Sequence, residues 1–315
     1  MHFNKDITIL IVNWNAGDYL IRCLEHIQNH YPVIVVDNNS TDGSPEKVNS
    51  LFPSVKVIRS PLNLGFSAGN NLGLREVKTK YVLFLNPDTE IIDDAIEQLN
   101  GFLEAHPDYD AVGPQIIEGG KASIYSGRRH LNLWMSSCMA FSLSNLFKKS
   151  RWFNRFPLAD WDQKASRDVD CLYGCAMLVR TSVVKEIGGF DETVPLYLDD
   201  MDLCRRITNR GAKIHCLISA KVKHIQNVSG NKAPPAWLTH LQLRAQYEYL
   251  KKYDGRLVAS AFLIAAFLAS MGKISIFFTP SLFNDTYRKN LTIAWNMLTF
   301  SIYYFHSEKL KQCPG

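Results

Sequence analysis

The chain has 315 residues, 46% hydrophobic and 21% charged, a balance that supports a large buried core and argues against a disordered or low-complexity protein. Its formal charge of +5 is modest, yet residues 121–167 hold nine Lys or Arg against two Asp, a local +7. Seven cysteines, an odd number with no CxxC pair, argue against a disulfide framework or a structural zinc site and fit a reducing compartment.

The N-terminus, Met1-His-Phe-Asn-Lys-Asp6, carries no apolar signal region, so the start of the chain is expected to stay in the cytoplasm. Ile7-Thr-Ile-Leu-Ile-Val12 predicts a strand ending at Asn13-Trp-Asn15, and Leu20, Cys23, Leu24 and Ile27 then carry helical spacing. The pattern recurs: Val33 to Val36 predicts a strand ending in Asp37, and the polar turn Asn38 to Ser44 leads to a second helix. Val55 to Ile58 predicts a third strand. Its exit loop, Asn63-Leu-Gly65-Phe-Ser-Ala-Gly69-Asn70-Asn71, is expected to admit a ligand close to the backbone before a helix that ends near Val77.

Tyr81-Val-Leu-Phe-Leu85 is apolar on both faces and too short for a helix, which suits the centre of a covered, mostly parallel sheet. Pro87 has no N–H to give to a ladder and ends the strand. Asp88 then stands beyond the carboxyl end of the strand, where open α/β sheets bind ligands. Two readings of it stand side by side: a cleft carboxylate, or a cap on a helix beginning near Ile92.

Strands alternating with helices at this spacing predict a Rossmann-like α/β half with a nucleotide as its natural ligand. The dinucleotide fingerprint is missing after the first strand, where Asn13-Trp-Asn-Ala-Gly17 stands, so NAD is disfavoured. There is no Walker phosphate loop either. A divalent metal held by Asp88 would neutralise a diphosphate instead.

In the second half, Asp170 to Arg180 reads as a strand, followed by a short helix from Thr181 to Gly188-Gly189. Asp199, Asp200 and Asp202 open a further helix. Asp202 reads as a dipole partner and an i, i+4 pair with Arg206. Asp200 shares a face with Cys204 and Ile207 and so points inward; an inward carboxylate at a helix N-terminus suits a general base. Asp199 either caps the helix or helps hold an acceptor. A retaining hydrolase on Asp199 and Asp200 is disfavoured, because adjacent helical residues diverge by about 100 degrees and cannot flank one bond. Ala212 to Leu217 predicts another strand, and His224 follows it; from spacing alone that histidine is a surface or core residue as readily as a ligand.

Taken together, these residues resemble the family 2 glycosyltransferases (GT2), especially the bacterial rhamnosyltransferase branch. The likeness runs through Val12-Asn-Trp-Asn15, Val35-Val-Asp37-Asn-Asn-Ser-Thr-Asp-Gly43-Ser, Asn63 to Gly73, and Phe84-Leu-Asn-Pro-Asp88-Thr. It continues in Tyr173-Gly-Cys-Ala, Gly188-Gly-Phe-Asp191 and Leu198-Asp-Asp-Met-Asp-Leu-Cys204, covering about residues 6 to 230 in order.

The resemblance implies a GT-A fold, α/β with a Rossmann-like nucleotide-diphospho-sugar half, and an inverting transfer assisted by Mg²⁺ or Mn²⁺. It implies that Asn13, Asn15, Asp37, Asn63, Gly65, Asn70 and Asn86 line the donor nucleotide site, with Asp37 on the base. Asn86-Pro-Asp88 takes the place of the family's DxD, with Asn86 departing from a strict match and Asp88 meeting the metal. Asp200 would be the base, Gly174 and Asp199 would contact the acceptor or sugar, and His224 falls near a metal- or diphosphate-contacting histidine. The implied substrates are a nucleotide-diphosphate sugar, dTDP-rhamnose foremost, and a lipid-linked saccharide in polysaccharide or O-antigen assembly. Two other readings stand beside this one: a nucleotide-sugar-binding partner without turnover, and a nucleotidyltransferase of related fold.

Residues 121–167 lack the regular alternation. There Arg128, Arg129, Lys148, Lys149, Arg151 and Arg155 interleave with Trp134, Phe141, Phe147, Trp152 and Phe153. A surface for anionic lipid headgroups or a lipid-diphosphate acceptor is expected, over a solvated basic insert with core aromatics. No nucleic-acid motif accompanies the patch.

The catalytic domain is expected over 1–250 and a hydrophobic, basic helical tail over 251–315. Leu257 to Phe278 and Leu291 to Phe305 predict paired helices lying in a membrane interface or against a partner, at the inner face of the cytoplasmic membrane, rather than a span, because Lys273 interrupts the first. A hairpin packed on the catalytic domain is the alternative. Nothing in the sequence decides between monomer and oligomer.

Overall fold

The computed structural model describes residues 5–27, 30–123, 125–158, 160–194, 197–225, 235–281 and 284–303. The first half runs β1 (Ile7–Asn13), α1 (Asp18–Ile27), β2 (Val33–Asp37), α2 (Ser44–Leu51), β3 (Lys56–Arg59), α3 (Gly65–Leu74), β4 (Tyr81–Leu85), β5 (Thr89–Ile92), α4 (Ala95–Ala105) and β6 (Tyr109–Glu118). The segment of excess positive charge forms β7 (Lys121–Ala122), β8 (Gly127–Arg128), α5 (Leu133–Ala140), α6 (Leu143–Leu146) and β9 (Arg167–Asp168). Next come β10 (Cys171–Leu172), β11 (Ala176–Arg180), α7 (Thr181–Glu186), α8 (Asp199–Thr208), β12 (Lys213–His224), α9 (Pro235–Tyr253), α10 (Arg256–Ser281) and α11 (Asp285–Tyr303).

The main sheet has the order β3-β2-β1-β4-β11-β6-β12-β5. Strands β3, β2, β1 and β4 are parallel, while β11 runs antiparallel to β4 and to β6, and β12 antiparallel to β5. Both faces are covered, as the apolar run in β4 predicts: Leu10, Val36, Val82 and Phe84 enter one core, and Ile9, Ile11, Val35, Leu83 and Leu85 the other. Helix α3 lies so close to the sheet that a Cβ on Gly73 would stand 2.2 Å from Leu10 Cδ1. Glycine is required there for space, not for conformation.

Three expectations are revised. The Asn63–Asn71 stretch is not an open loop, since α3 starts at Gly65, whose amide is held by Asn63 Oδ1 at 3.0 Å and whose φ is +81°. Asp88 caps no helix: β5 intervenes and α4 begins only at Ala95. The strand expected over Asp170–Arg180 breaks at Tyr173-Gly174-Cys175 into β10 and β11.

At the C-terminus, α10 and α11 form a hairpin. Its inner face, with Phe262, Leu263, Ala266, Met297 and Phe300, shares a core with Leu243 and Leu250 of α9 and Ala140 of α5. The other face of α10 is open, exposing Leu257, Ile264, Leu268, Met271, Ile276 and Phe278. Over Arg256–Thr279 it is long and apolar enough to cross a membrane by length and composition alone.

Candidate active site

Strand polarity brings the site together. Parallel pairing sets Asn13 beside Asp37 and Ile11 beside Leu85, so β1, β2 and β4 all end at one edge of the sheet. Antiparallel β11 begins at that edge, with Ala176 opposite Leu85, and the amide of Asn86 donates to the carbonyl of Cys175 at 2.9 Å. Strand β12 ends there, with His224 opposite Thr89 and the amide of Ile225 donating to the carbonyl of Asp88 at 2.9 Å.

Asp88 and His224 therefore meet. His224 Nε2 lies 3.4 Å from Asp88 Oδ1, and Nδ1 lies 3.1 Å from Glu118 Oε1. Burial works against a charge on the ring, but the two carboxylates outweigh it and raise its pKa to about 9. The two carboxylates give the cluster the negative charge that attracts a divalent cation. Glu118 on Nδ1 turns Nε2 toward Asp88, the arrangement in which a second carboxylate orients a ligating imidazole.

Among the described residues no group of three or more His, Cys, Asp or Glu converges as a metal cage. Asp88 and His224 offer an oxygen and a nitrogen donor of the kinds Mg²⁺ and Mn²⁺ accept, and these two side chains would hold such a cation beside a diphosphate.

Asp200, on the first turn of α8, is buried as its helical spacing predicts. Its Oδ2 accepts from the Gly174 amide at 2.8 Å and from Arg128 Nη2, while Oδ1 accepts from the Met201 amide at 2.7 Å. Gly174, expected to contact an acceptor, instead cradles this carboxylate. Asp199 is equally buried, its Oδ2 has no partner among the described residues, and burial followed by the charge of Asp200 pushes its pKa up to about 7. Asp202 pairs with Arg206 at 2.7 Å as its spacing predicts, but it is fully buried and also binds Lys252 and Tyr253 of α9.

Tyr173 joins the two clusters. Its ring meets His224 edge-on at 5.5 Å between centroids, and Arg128 lies over it at 5.5 Å.

At the nucleotide end, Asp37 is buried and accepts from Asn13 Nδ2 at 2.9 Å and from the Ser40 amide at 3.2 Å. Two expected donor contacts give way. Asn13 is fully buried, its amide bonding Asp37, Ser40 and Ser44, so it acts by holding Asp37. Asn70 is also buried and donates to the carbonyl of Phe66 within α3. Asn15, Asn63 and Asn86 are half-buried along the same edge. Asn15, at φ 52°, lines an open cavity of about 440 Å³ with Gly17, Tyr19, Arg22 and Asp42.

Sequence reasoning missed Glu118 and Arg128. Glu118 belongs to no motif. Arg128 counts with the basic surface by sequence, whereas it is buried with its guanidinium over the rings of Phe156 and Tyr173. Arg129 also leaves that surface, half-buried 3.8 Å from Asp160. Lys148, Lys149, Arg151 and Arg155 stay exposed, together with Trp134, Phe141, Phe147 and Trp152.

The family model for Glycosyl transferase family 2 matches residues 8–188. The chain belongs to that family and is a glycosyltransferase with a GT-A fold. Relatives lie further off. An N-acetylglucosaminyl-diphospho-decaprenol L-rhamnosyltransferase of Mycobacterium tuberculosis is 25% identical over 247 residues, 74% of this chain and 80% of that protein. The rhamnosyltransferase WbbL of Escherichia coli is 25% identical over 219 residues, 66% and 79% of the two chains. Among solved structures, the mannosyltransferase PcManGT of Pyrobaculum calidifontis, in complex with GDP-Man and Mn²⁺, superposes with a TM-score of 0.57 at 15% identity over 96% of this chain and 88% of that one. It is evidence of the fold.

Proposed function

We propose that this glycosyltransferase inverts the anomeric centre as it moves L-rhamnose from dTDP-rhamnose to a hydroxyl of a lipid-linked saccharide, in cell-surface polysaccharide or O-antigen assembly. One observation carries the reaction class: the carboxylate–imidazole pair of Asp88 and His224 meets the Tyr173 ring edge-on, and Arg128, which holds the buried carboxylate of Asp200, lies over that same ring. The choice of sugar and acceptor is supported by the names of the Mycobacterium tuberculosis and Escherichia coli relatives.

Asp200 takes the proton of the acceptor hydroxyl as that oxygen forms a bond to the anomeric carbon. The bond from that carbon to the diphosphate breaks on the opposite face, and its electron pair leaves with the nucleotide. Asp88 and His224 would hold Mg²⁺ or Mn²⁺, which when bound offsets the negative charge growing on the diphosphate. Asp37, fixed by Asn13 and Ser40, offers a carboxylate to the base, and Asn15, Asn63, Gly65 and Asn86 line the nucleotide. Asp199, beside Asp200, helps to hold the acceptor.

The enzyme works from the cytoplasmic side, on the inner face of the membrane. Supporting this are the open apolar face of α10, the exposed aromatics beside α5, and Lys148, Lys149, Arg151 and Arg155 close by in sequence. Helix α5 packs against α10 through Ala140 in a shared core, which keeps the two helices adjacent. Flotation with vesicles containing anionic lipid, and its loss at high salt, checks this part.

The deciding experiment is calorimetric binding of dTDP-rhamnose, UDP-glucose and GDP-mannose, with and without Mn²⁺, to wild type and Asp88→Ala. Metal-dependent binding of dTDP-rhamnose, lost in Asp88→Ala, is the expected result. Binding of a different sugar nucleotide overturns the donor. Binding of nucleoside triphosphates in their place overturns the whole reading, and donor binding without any transfer supports a non-catalytic partner.

A further inference from the structure

Arg128 touches Asp200 more closely than any other side chain does, yet it lies on the insert and not in a motif. Pairing of β8 with β10 sets Arg128 opposite Cys171. From there the side chain runs inward, its guanidinium over the rings of Phe156 and Tyr173 and only 7% of it exposed. Its Nη2 donates to Asp200 Oδ2 and to the carbonyl of Leu172 at 2.8 Å. Its Nε is buried and has no partner among the described residues. Burial opposes the charge and Asp200 more than restores it, so the guanidinium stays ionised.

We propose that Arg128 is a positioning residue for the reaction, clamping Oδ2 of Asp200 against the Gly174 amide so that Oδ1 is the oxygen that receives the proton of the acceptor. This rests on the reading of Asp200 as the general base.

Three considerations support it. A carboxylate offers about four accepting directions. Arg128 and Gly174 occupy those of Oδ2, and the Met201 amide occupies one of Oδ1, which leaves a single direction, on Oδ1. Next, the terminal torsion of an aspartate is soft, and only a fixed donor on one oxygen stops the two from exchanging places. Gly174 supplies one N–H, and Arg128 adds a charge-assisted bond at the same oxygen. Last, a buried ion pair with an orphaned donor is poorly explained by stability, since apolar groups of similar volume in place of such pairs are often neutral or stabilising. The cation also sits over the Tyr173 ring, which meets His224 edge-on.

The test uses the full-length enzyme with the donor found by calorimetry. Arg128→Met keeps the bulk and removes the charge; Arg128→Lys keeps the charge. Donor Kd and donor KM stay within about threefold of wild type in both, because neither variant alters Asp88 or His224. The kcat of Arg128→Met falls about 100-fold, the scale of a misplaced catalytic group, and Arg128→Lys regains about tenfold of that. On the residual rate of Asp200→Asn, adding Arg128→Met costs less than about threefold, since no carboxylate base is left to place.

An Asp200→Asn enzyme with near wild-type kcat sinks the base reading and this inference with it. If Asp200→Asn keeps only a small residual rate, the inference alone fails on any of three results: kcat of Arg128→Met within threefold of wild type, equal losses for Lys and Met, or additive losses in the double variant. If neither Arg128 variant shows a cooperative melting transition, Arg128 is a strut of the fold and the inference is likewise overturned.

Discussion

Replacing Gly174 by alanine tests whether the placement of Asp200 matters to about an ångström. A Cβ on Gly174 would lie 2.9 Å from Asp200 Cβ, 3.0 Å from its Oδ2 and 3.3 Å from its Cγ. Carbon contacts are most favourable at about 3.5–4.0 Å, so roughly 0.6–1 Å of room must be found. Gly174 is not among the residues with positive φ, so alanine is conformationally acceptable and the whole effect is steric. Helix α8 cannot yield, because Met201, Leu203, Cys204 and Ile207 are all fully buried. The Asp200 side chain must move, weakening its bonds to the Gly174 amide and to Arg128. Charge-assisted hydrogen bonds of this kind contribute about 1.5–3 kcal/mol, and a 1 Å misplacement costs about 10²-fold in rate. Initial rates at saturating donor should show a kcat lower by about two orders of magnitude, with donor Kd by calorimetry unchanged. A Gly174→Ala enzyme with kcat within threefold of wild type refutes the reasoning, as does a loss confined to donor binding.

Other outcomes follow from the same geometry. Glu118→Gln, which takes the charge from the carboxylate on His224 Nδ1, should weaken Mn²⁺-dependent donor binding by about 10–100-fold, read by calorimetry. Asp199, with a folded pKa of about 7 against 3.8 for the free side chain, binds more protons folded than unfolded between those values. The contribution of Asp199 to stability should therefore fall as pH rises from about 4 to about 7, by up to about 1.4 kcal/mol per unit. It is read as the difference between denaturant melts of wild type and Asp199→Asn, which removes the opposite slope of His130, whose pKa burial lowers to about 4. Gly73→Ala should destabilise the fold by about 1–3 kcal/mol by pushing α3 off Leu10, with the effect seen in the urea midpoint.

Periodicity made the first half of the sheet readable. The apolar runs at Ile7, Val33 and Tyr81 are short, rich in β-branched or aromatic residues and bounded by polar turns, and each became a strand that ends at, or one residue before, the Asn or Asp that follows its run. That fixed the places of Asp37 and Asp88 at strand exits. The inward direction of Asp200 was also legible, because helical spacing alone sets which residues share a face.

Less legible was any residue whose environment comes from distant chain. Asn13 and Asn70 look like ligand contacts from their loops, but Ser40 and Ser44 in one case and a helical carbonyl in the other absorb their amides. Arg128 belongs to a run of positive charge that reads as solvated, and only the pairing of β8 with β10 turns it inward.

By itself, then, the sequence determined the α/β class, the family, and the carboxylates at the strand and helix ends, because local periodicity and short-range sterics decide those. The tertiary structure decided the partnerships: Asp88 with His224 and Glu118, and Asp200 with Gly174 and Arg128. These contacts join residues 26 to 136 positions apart, and only the antiparallel turn-back of β11 and β12 beside β4 and β5 brings them to one edge. No spacing along the chain encodes that approach, because it depends on which strands become neighbours.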